Sequence, residues 1–145
     1  SEANDLLIMD VQKKTFLSDK LEELLFPIPS WLPDGSGFLY NRSKSGDVHD
    51  VNRQLNTKAF LHKIGEDFSQ DKEIFSLEKN PGLGINPEDI PVVFYDKDSK
   101  NIFGYIYSVD NRLFVYYAPA SELANIKEST ILEGGIVRAP IRGQS

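Results

Sequence analysis

The chain has 145 residues, of which 40% are hydrophobic and 26% are charged, and its formal net charge is -6. This composition is ordinary for a folded domain and excludes a disordered tail, while the scattered lysines and acidic balance exclude a nucleic-acid surface, which needs clustered cations. The absence of cysteine excludes disulfides and thiolate sites, and no apolar run approaches the roughly 20 residues of a membrane span.

The first strands are predicted at 5–17, and a charged segment at 19–25 leads from them towards a pronounced turn signal. In this turn, Pro33-Asp34-Gly35 separates Trp31 from the alternating apolar run Phe38-Leu39-Tyr40. Proline presets φ at the start of a turn, and glycine accepts backbone angles that strain other residues. A hairpin is therefore predicted here, with Trp31 as a core anchor beside it.

Further short strands are predicted along the rest of the chain, because aromatic and β-branched residues alternate there with a period of two. They lie at 58–65, 69–75, 102–107 and 113–117, and polar or glycine-containing turn clusters separate them at 43–47, 80–84, 96–100 and 109–111. Helical signals are weak by comparison, with a single turn expected at 121–124. The chain is predicted to be all-β.

An internal repeat is visible in these segments. Residues 31–38 lie over 95–102 at an offset of 64, and 60–62 lie over 114–116 at an offset of 54. Periods of about 40 to 50 residues, stretched by loop insertions, are typical of four-stranded propeller blades. We therefore predict one domain over 1–145, with the outer strands of one blade at 5–17, whole blades at 24–77 and 90–131, and a tail or the start of a further blade at 134–145.

Several strings in fixed order carry a family resemblance. They are the charged lead-in 18–22, the Trp31-x-Pro-Asp-Gly turn, the strand end His62-Lys63-Ile64-Gly65 and Ser69-Gln70-Asp71. Together they resemble the propeller domain of the prolyl oligopeptidase family of serine peptidases. The resemblance runs as a connected string from about Asp19 to Glu78 and more loosely to about Asn125. It implies a partial β-propeller of two to three four-stranded antiparallel blades.

The resemblance also implies a function for the parent protein. In this family the propeller caps an α/β-hydrolase domain and restricts entry to short peptides, which are cut after proline. The hydrolase half is missing here, so the resemblance implies a non-catalytic piece of a serine-type endopeptidase, with the hydrolase domain and a peptide as partners. The chain starts at Ser1 rather than at a methionine, so it is expected to be cut from a longer parent, whose compartment is left open between cytoplasm and periplasm.

A search for a catalytic set finds none, and no cofactor or metal site is predicted. Ser36 lies in Gly35-Ser36-Gly37, which is not the Gly-x-Ser-x-Gly elbow of a family nucleophile, and it is expected to be a turn residue. The chain has only two histidines. His62 is expected to have a hydrogen-bonded structural role on its strand, and His49 is expected to lie in a solvated loop rather than in a metal site.

Other suggestive residues have simpler explanations. Adjacent Glu22 and Glu23 point to opposite faces of a strand and cannot flank one glycosidic bond. The acids Asp96, Asp98 and Asp110 lack the other ligands of a calcium loop, and Gly82-x-Gly84 lacks the flanking strand and helix of a phosphate-binding loop. The tyrosines of the later strands are expected to divide between the core and the outer surface; they are Tyr105, Tyr107, Tyr116 and Tyr117.

Two alternatives to the peptidase fragment remain. The chain is then either a free-standing propeller-like module that binds a protein or peptide through its loops, or a truncated, inactive homologue. An incomplete ring leaves blade faces uncovered at each end, for example near 6–8 and 136–137. Self-association through those faces or through edge strands is therefore expected.

Overall fold

A computed structural model describes residues 4–24, 29–43, 52, 55–108, 112–121 and 136–140. Ten strands account for most of them: β1 Asn4–Asp10, β2 Thr15–Leu24, β3 Ser30–Trp31, β4 Gly37–Arg42, β5 Lys58–Lys63, β6 Lys72–Phe75, β7 Ile90–Asp96, β8 Asn101–Tyr107, β9 Arg112–Pro119 and β10 Ile136–Pro140. Short 3-10 turns lie at Phe68–Gln70 and Pro81–Leu83. Over these ranges, the chain contains no helix with the length and apolar character needed to cross a membrane.

The strands form three antiparallel sheets. The first sheet pairs β1 with β2, the second has the order β3-β4-β5-β6, and the third has the order β10-β9-β8-β7. In both four-stranded sheets, each strand pairs with its neighbour in sequence, as in the blades of a propeller. The predicted all-β, partial-propeller fold is confirmed.

The strand limits differ in several places from the predicted segments. The segment predicted as a strand at 69–75 begins in the 3-10 turn Phe68–Gln70, and β6 starts only at Lys72. Strand β2 continues to Leu24, beyond the predicted limit of 17. Strand β10 pairs with β9, with Ile136 opposite Tyr116, and so completes the third sheet. Residues 136–140 therefore form the fourth strand of that sheet, and the rest of the segment 134–145, predicted as a tail or the start of a further blade, lies outside the described residues. A long connection separates β9 from β10, and sequence alternation alone does not show which strand edge the later segment joins.

The predicted hairpin turn forms between β3 and β4. Gly35 adopts a φ of 72°, and the Asp34 carboxylate accepts hydrogen bonds from the Ser36 N–H at 2.9 Å and the Ser36 hydroxyl at 2.6 Å. Immediately afterwards, Gly37 lies so close to β5 that a Cβ atom at this position would be 2.2 Å from the carbonyl oxygen of His62. The turn fixes the register of β3 against β4, and this close approach fixes how near β4 lies to β5.

The second sheet packs against the first sheet on one face and the third sheet on the other, and we call it the middle sheet. Its hydrophobic side chains pack on both of these faces. Phe38 and Tyr40 project from β4 towards the first sheet, where they pack with Ile8, Leu21 and Leu24. The alternate β4 residue, Leu39, faces the third sheet. The cluster on that side is larger and comprises Leu39, Ala59, Leu61, Ile74, Phe75, Ile85, Val93, Ile102, Ile106, Tyr116 and Ala118. The core is therefore divided between two inter-sheet layers, as the 2-residue side-chain period requires.

Trp31 does not have the predicted role as a core anchor. Its side chain is 46% exposed, although it lies opposite Phe38 in the strand register and contacts that ring edge-on at 5.1 Å between centroids. The cluster between the first two sheets includes Phe38 but not Trp31. The reason is positional: Trp31 lies on β3, which has only two residues and forms the edge of its sheet. The tyrosines do divide as expected, since Tyr116 is buried and Tyr107 is exposed.

Candidate functional site

His62 lies at the centre of a buried polar network on the middle sheet. The register places it on β5 opposite Phe38 of β4, and the two rings are 5.1 Å apart between centroids. Its side chain is 1% exposed. Cross-strand neighbours share a face of the sheet, so the imidazole projects with Phe38 towards the first sheet.

Both ring nitrogens of His62 contact carboxylates. Nε2 lies 2.7 Å from Oδ2 of Asp19 on β2, and Nδ1 lies 2.7 Å from Oδ1 of Asp71, which immediately precedes β6. The two carboxylate side chains are 2% and 0% exposed. The Asp19 contact joins the first sheet to the second, whereas the Asp71 contact lies within the second.

Further side chains extend this network beyond Asp71. The Tyr40 hydroxyl donates a hydrogen bond to Oδ2 of Asp71. Arg42 donates from Nη1 to the Tyr40 hydroxyl at 3.1 Å and to the carbonyl oxygen of Phe68 at 3.3 Å. The guanidinium carbon lies 4.1 Å from the centroid of the Phe60 ring, a cation–π distance. Arg42 is thus held by the hydrogen bonds from Nη1 and by the face of the Phe60 ring, over which its guanidinium lies.

Burial and hydrogen bonding act in opposite directions on the two carboxylates. Burial by itself raises the pKa of Asp19, but hydrogen bonds from His62 and from the Gly65 N–H, at 2.8 Å, outweigh it and lower that pKa. Burial is also the largest effect on Asp71, and it raises the pKa of this carboxyl despite the bonds from Tyr40 and His62. Burial and the bond to Asp71 raise the pKa of Tyr40, so its phenol stays protonated.

This geometry does not provide a nucleophile. Both nitrogens of His62 are engaged by carboxylates, so neither is free to accept a proton from a serine hydroxyl. Ser36 lies in the exposed turn with its hydroxyl bound to Asp34. Across the ranges with described coordinates, no three His, Asp or Glu side chains are arranged to hold a metal ion. The network is suited to holding strands together.

The other sequence candidates lie apart from this network. Asp96 binds the Ser99 N–H at 3.0 Å in the polar tip of the β7–β8 hairpin, and Gly84 ends a 3-10 turn with a φ of 69°. Glu22 and Glu23 lie on β2. His49 and Asp110 fall outside the residues that the structure describes.

Sequence reasoning identified His62 as hydrogen-bonded but did not find its partners. Asp19 and Asp71 lie 43 and 9 residues from His62 in the chain. The pairing of β5 with β6 brings Asp71 to His62, and the packing of the first sheet on the second brings Asp19. The available signal was the position of both acids within the strings that carried the family resemblance. No local pattern marks Tyr40 or Arg42 as their neighbours.

Two clefts open where the second and third sheets meet. The larger has a volume of about 750 Å³. Its lining includes the hydrophobic residues Leu32, Leu61 and Tyr95 and the two lysines Lys63 and Lys100. The smaller, of about 370 Å³, lies at the opposite end of β4 and is lined mainly by apolar side chains of β7, among them Ile90 and Val92. Neither cleft is lined by His62 or its two carboxylate partners.

Comparison with known proteins identifies what this chain is similar to. A family model described as the prolyl oligopeptidase N-terminal β-propeller domain matches residues 1–132. No curated protein matches the chain. Among solved structures, one from a study of two prolyl endopeptidases aligns with a TM-score of 0.66 and 21% identity, over 81% of this chain and 17% of that chain. Prolyl oligopeptidase B from Galerina marginata, bound to a 25mer macrocyclization substrate, aligns with a TM-score of 0.65 and 18% identity, over 99% of this chain and 20% of that one. The chain thus spans at most a fifth of these structures.

Proposed function

Since the chain belongs to the prolyl oligopeptidase family, within its N-terminal β-propeller domain, we propose that it is a non-catalytic propeller segment that restricts peptide access to the hydrolase domain of its parent protein. The observation that carries this proposal is the state of His62, which is enclosed by two carboxylates, with no serine hydroxyl in the network among the residues that the structure describes. A general base must reach the proton that it removes. This histidine instead ties one sheet to another.

The parent is proposed to be a serine-type oligopeptidase that cleaves short peptides after proline. The names of the similar structures support this substrate class: prolyl endopeptidases, and a prolyl oligopeptidase bound to a macrocyclization substrate. A segment with well-packed blades suits a size filter, because a filter must keep its opening constant. Here the second and third sheets are joined by the larger apolar cluster and by the hydrogen bond from Asn41 to Pro91 at 2.6 Å.

Two assays test this proposal. The purified chain should not hydrolyse proline-containing chromogenic peptides, and turnover that Ser36→Ala abolishes would contradict the non-catalytic assignment.

In the full-length parent, Asn41→Ala should loosen the contact between the second and third sheets and raise the cleavage rate of long peptides relative to short ones several-fold. Asn86→Ala, at an exposed position, is the matched control. An unchanged ratio in a folded Asn41 variant would argue against size filtering.

A second function, binding of another polypeptide, is supported by exposed apolar residues on the first sheet. Leu7, Met9 and Phe16 are all exposed, and Met9 lies opposite Phe16 in the register. In the isolated chain we propose that a second copy covers this surface. Light scattering over a concentration series tests that proposal, with Phe16→Ser expected to reduce association. An open reading frame without a downstream Gly-x-Ser-x-Gly segment would favour an independent binding module over the peptidase segment.

A further inference from the structure

The contacts of His62 specify how many protons the network must hold. A neutral imidazole has a single N–H, so its other nitrogen is an acceptor, as both oxygens of a carboxylate are. Here each ring nitrogen lies 2.7 Å from a carboxylate oxygen, one of Asp19 and one of Asp71. Rotating the ring by 180° does not remove the conflict, because both nitrogens still face a carboxylate. The arrangement is favourable only with a proton in each contact.

The surrounding charges also favour the additional proton. The charged and titratable groups that face His62 are Asp19 from β2, Asp71 ahead of β6, and Tyr40 with Arg42 behind it on β4. Asp67, near the same end of the sheet, is exposed and accepts the Ser69 N–H at 2.8 Å. An imidazolium and the Arg42 guanidinium together balance the two buried carboxylates. With a neutral imidazole, either a carboxyl group holds the second proton or one carboxylate charge stays uncompensated in a site excluded from water, which is costly.

We propose that His62 carries a proton on both ring nitrogens and that loss of one of these protons releases Asp19, and with it the first sheet, from the middle sheet. Opening occurs at Asp19 rather than at Asp71 for a topological reason. Asp71 belongs to the same sheet as His62 and is also held by Tyr40. Asp19 lies on the separate two-stranded sheet, so its contact with His62 is the one that separation of the sheets breaks. The network is thus a proton-operated latch between neighbouring blades.

The amide of Gly65 is a local reporter of this latch, since it donates to the same Asp19 oxygen that faces His62, at 2.8 Å. The Ser99 amide, which donates to Asp96 at 3.0 Å in the third sheet, is a matched control that does not contact the latch. His49→Gln leaves His62 as the sole histidine, which makes nitrogen NMR of the imidazole unambiguous.

The experiment follows both signals in the His49→Gln chain between about pH 5 and about pH 8, the range over which the charge of a histidine changes. We expect two imidazole N–H resonances at the lower pH and one at the higher pH. The protection of the Gly65 amide, corrected for intrinsic exchange, should fall about tenfold over the same interval while that of Ser99 stays constant. A single protonated nitrogen throughout, or Gly65 protection that does not follow the loss of a proton, would overturn the proposal.

Two variants separate the latch from a purely structural effect. Asp19→Asn should abolish the pH dependence of the Gly65 signal. If that variant does not fold, Tyr40→Phe provides the test, because it keeps the ring that packs against Phe38 and removes only the hydroxyl that donates to Asp71. A carboxylate that loses a donor holds a neighbouring proton more strongly, so the Gly65 transition should move to higher pH. A transition at the unchanged pH in Tyr40→Phe would contradict the latch.

Discussion

The side-chain amide of Asn41 on β4 donates a hydrogen bond to the carbonyl oxygen of Pro91 on β7, at 2.6 Å, and so connects the second sheet to the free edge of the third. Ser30 on β3 acts similarly further along, because its hydroxyl accepts the N–H of Tyr95 at 2.9 Å. Pro91 has no N–H of its own. At Pro91 and Tyr95 the edge of β7 therefore offers fewer unpaired backbone groups, which makes pairing with another strand less favourable there.

Asn41→Ala should destabilise the chain by about 1–3 kcal/mol, because it leaves the buried carbonyl of Pro91 without a donor. The substitution also removes a bond to the Thr57 hydroxyl at 3.2 Å. Urea unfolding measures the loss, and Asn86→Ala, which alters an exposed side chain, is expected to change stability by less than about 0.5 kcal/mol. Equal effects of the two substitutions would show that the Asn41 contact contributes little.

Trp31→Ala should cost less than about 1 kcal/mol, whereas Phe38→Ala should cost about 3–5 kcal/mol. The two rings touch, but Trp31 is half exposed and Phe38 is fully buried in the layer between the first and second sheets. Denaturant titrations of the two variants under identical conditions test the difference. A larger loss for Trp31→Ala would mean that the tryptophan is buried in solution, for example by self-association, and repeating the titration at several protein concentrations would detect that.

The sequence allowed the local features to be predicted better than the contacts between sheets. Pro33-Asp34-Gly35 specifies its turn through backbone preferences, so the hairpin could be predicted from three residues. The exposure of Trp31 depends instead on its place on a two-residue strand at the edge of its sheet, which no property of the tryptophan encodes. The same limit applies to His62: its strand position was predictable, but Asp71 reaches it only through the pairing of β5 with β6, and Asp19 reaches it only when the first two sheets pack.

Acid should weaken the contact between the first two sheets through Asp19. The pKa of this carboxyl is lowered in the folded chain from an ordinary value of 3.8. A lowered folded-state pKa stabilises the fold above the ordinary value, and this stabilisation is lost as the pH falls through the folded value. The free energy of unfolding should therefore decrease below about pH 4 in the wild-type chain and less steeply in Asp19→Asn.

The raised pKa of Asp71 acts in the opposite direction, since its contribution is present at low pH and is lost as the pH rises through the folded value. Asp71 is present in both proteins but shares His62 with Asp19, so the difference between the wild-type and Asp19→Asn curves measures the loss of Asp19 together with any change that it causes in the His62–Asp71 pair. Urea unfolding at closely spaced pH values measures both curves. Parallel curves below pH 4 would show that Asp19 has no lowered pKa in solution.

Gly37→Ala should destabilise the chain more than Gly35→Ala, although Gly35 has the unusual backbone conformation. A Cβ atom on Gly37 would lie 2.2 Å from the carbonyl oxygen of His62, and both clashing groups belong to paired strands that cannot separate without breaking the β4–β5 ladder. A Cβ atom on Gly35 meets no heavy atom within 4 Å, so the cost there is only that of an alanine at a φ of 72°, about 1–2 kcal/mol. For Gly37→Ala we expect about 3 kcal/mol or more, at the upper end of the range for overpacked sites. Because the strand shift also displaces His62, the Gly65 amide should lose protection in a folded Gly37→Ala variant and keep it in Gly35→Ala. A smaller loss of stability for Gly37→Ala than for Gly35→Ala in urea unfolding would show that β4 and β5 are not held at this spacing.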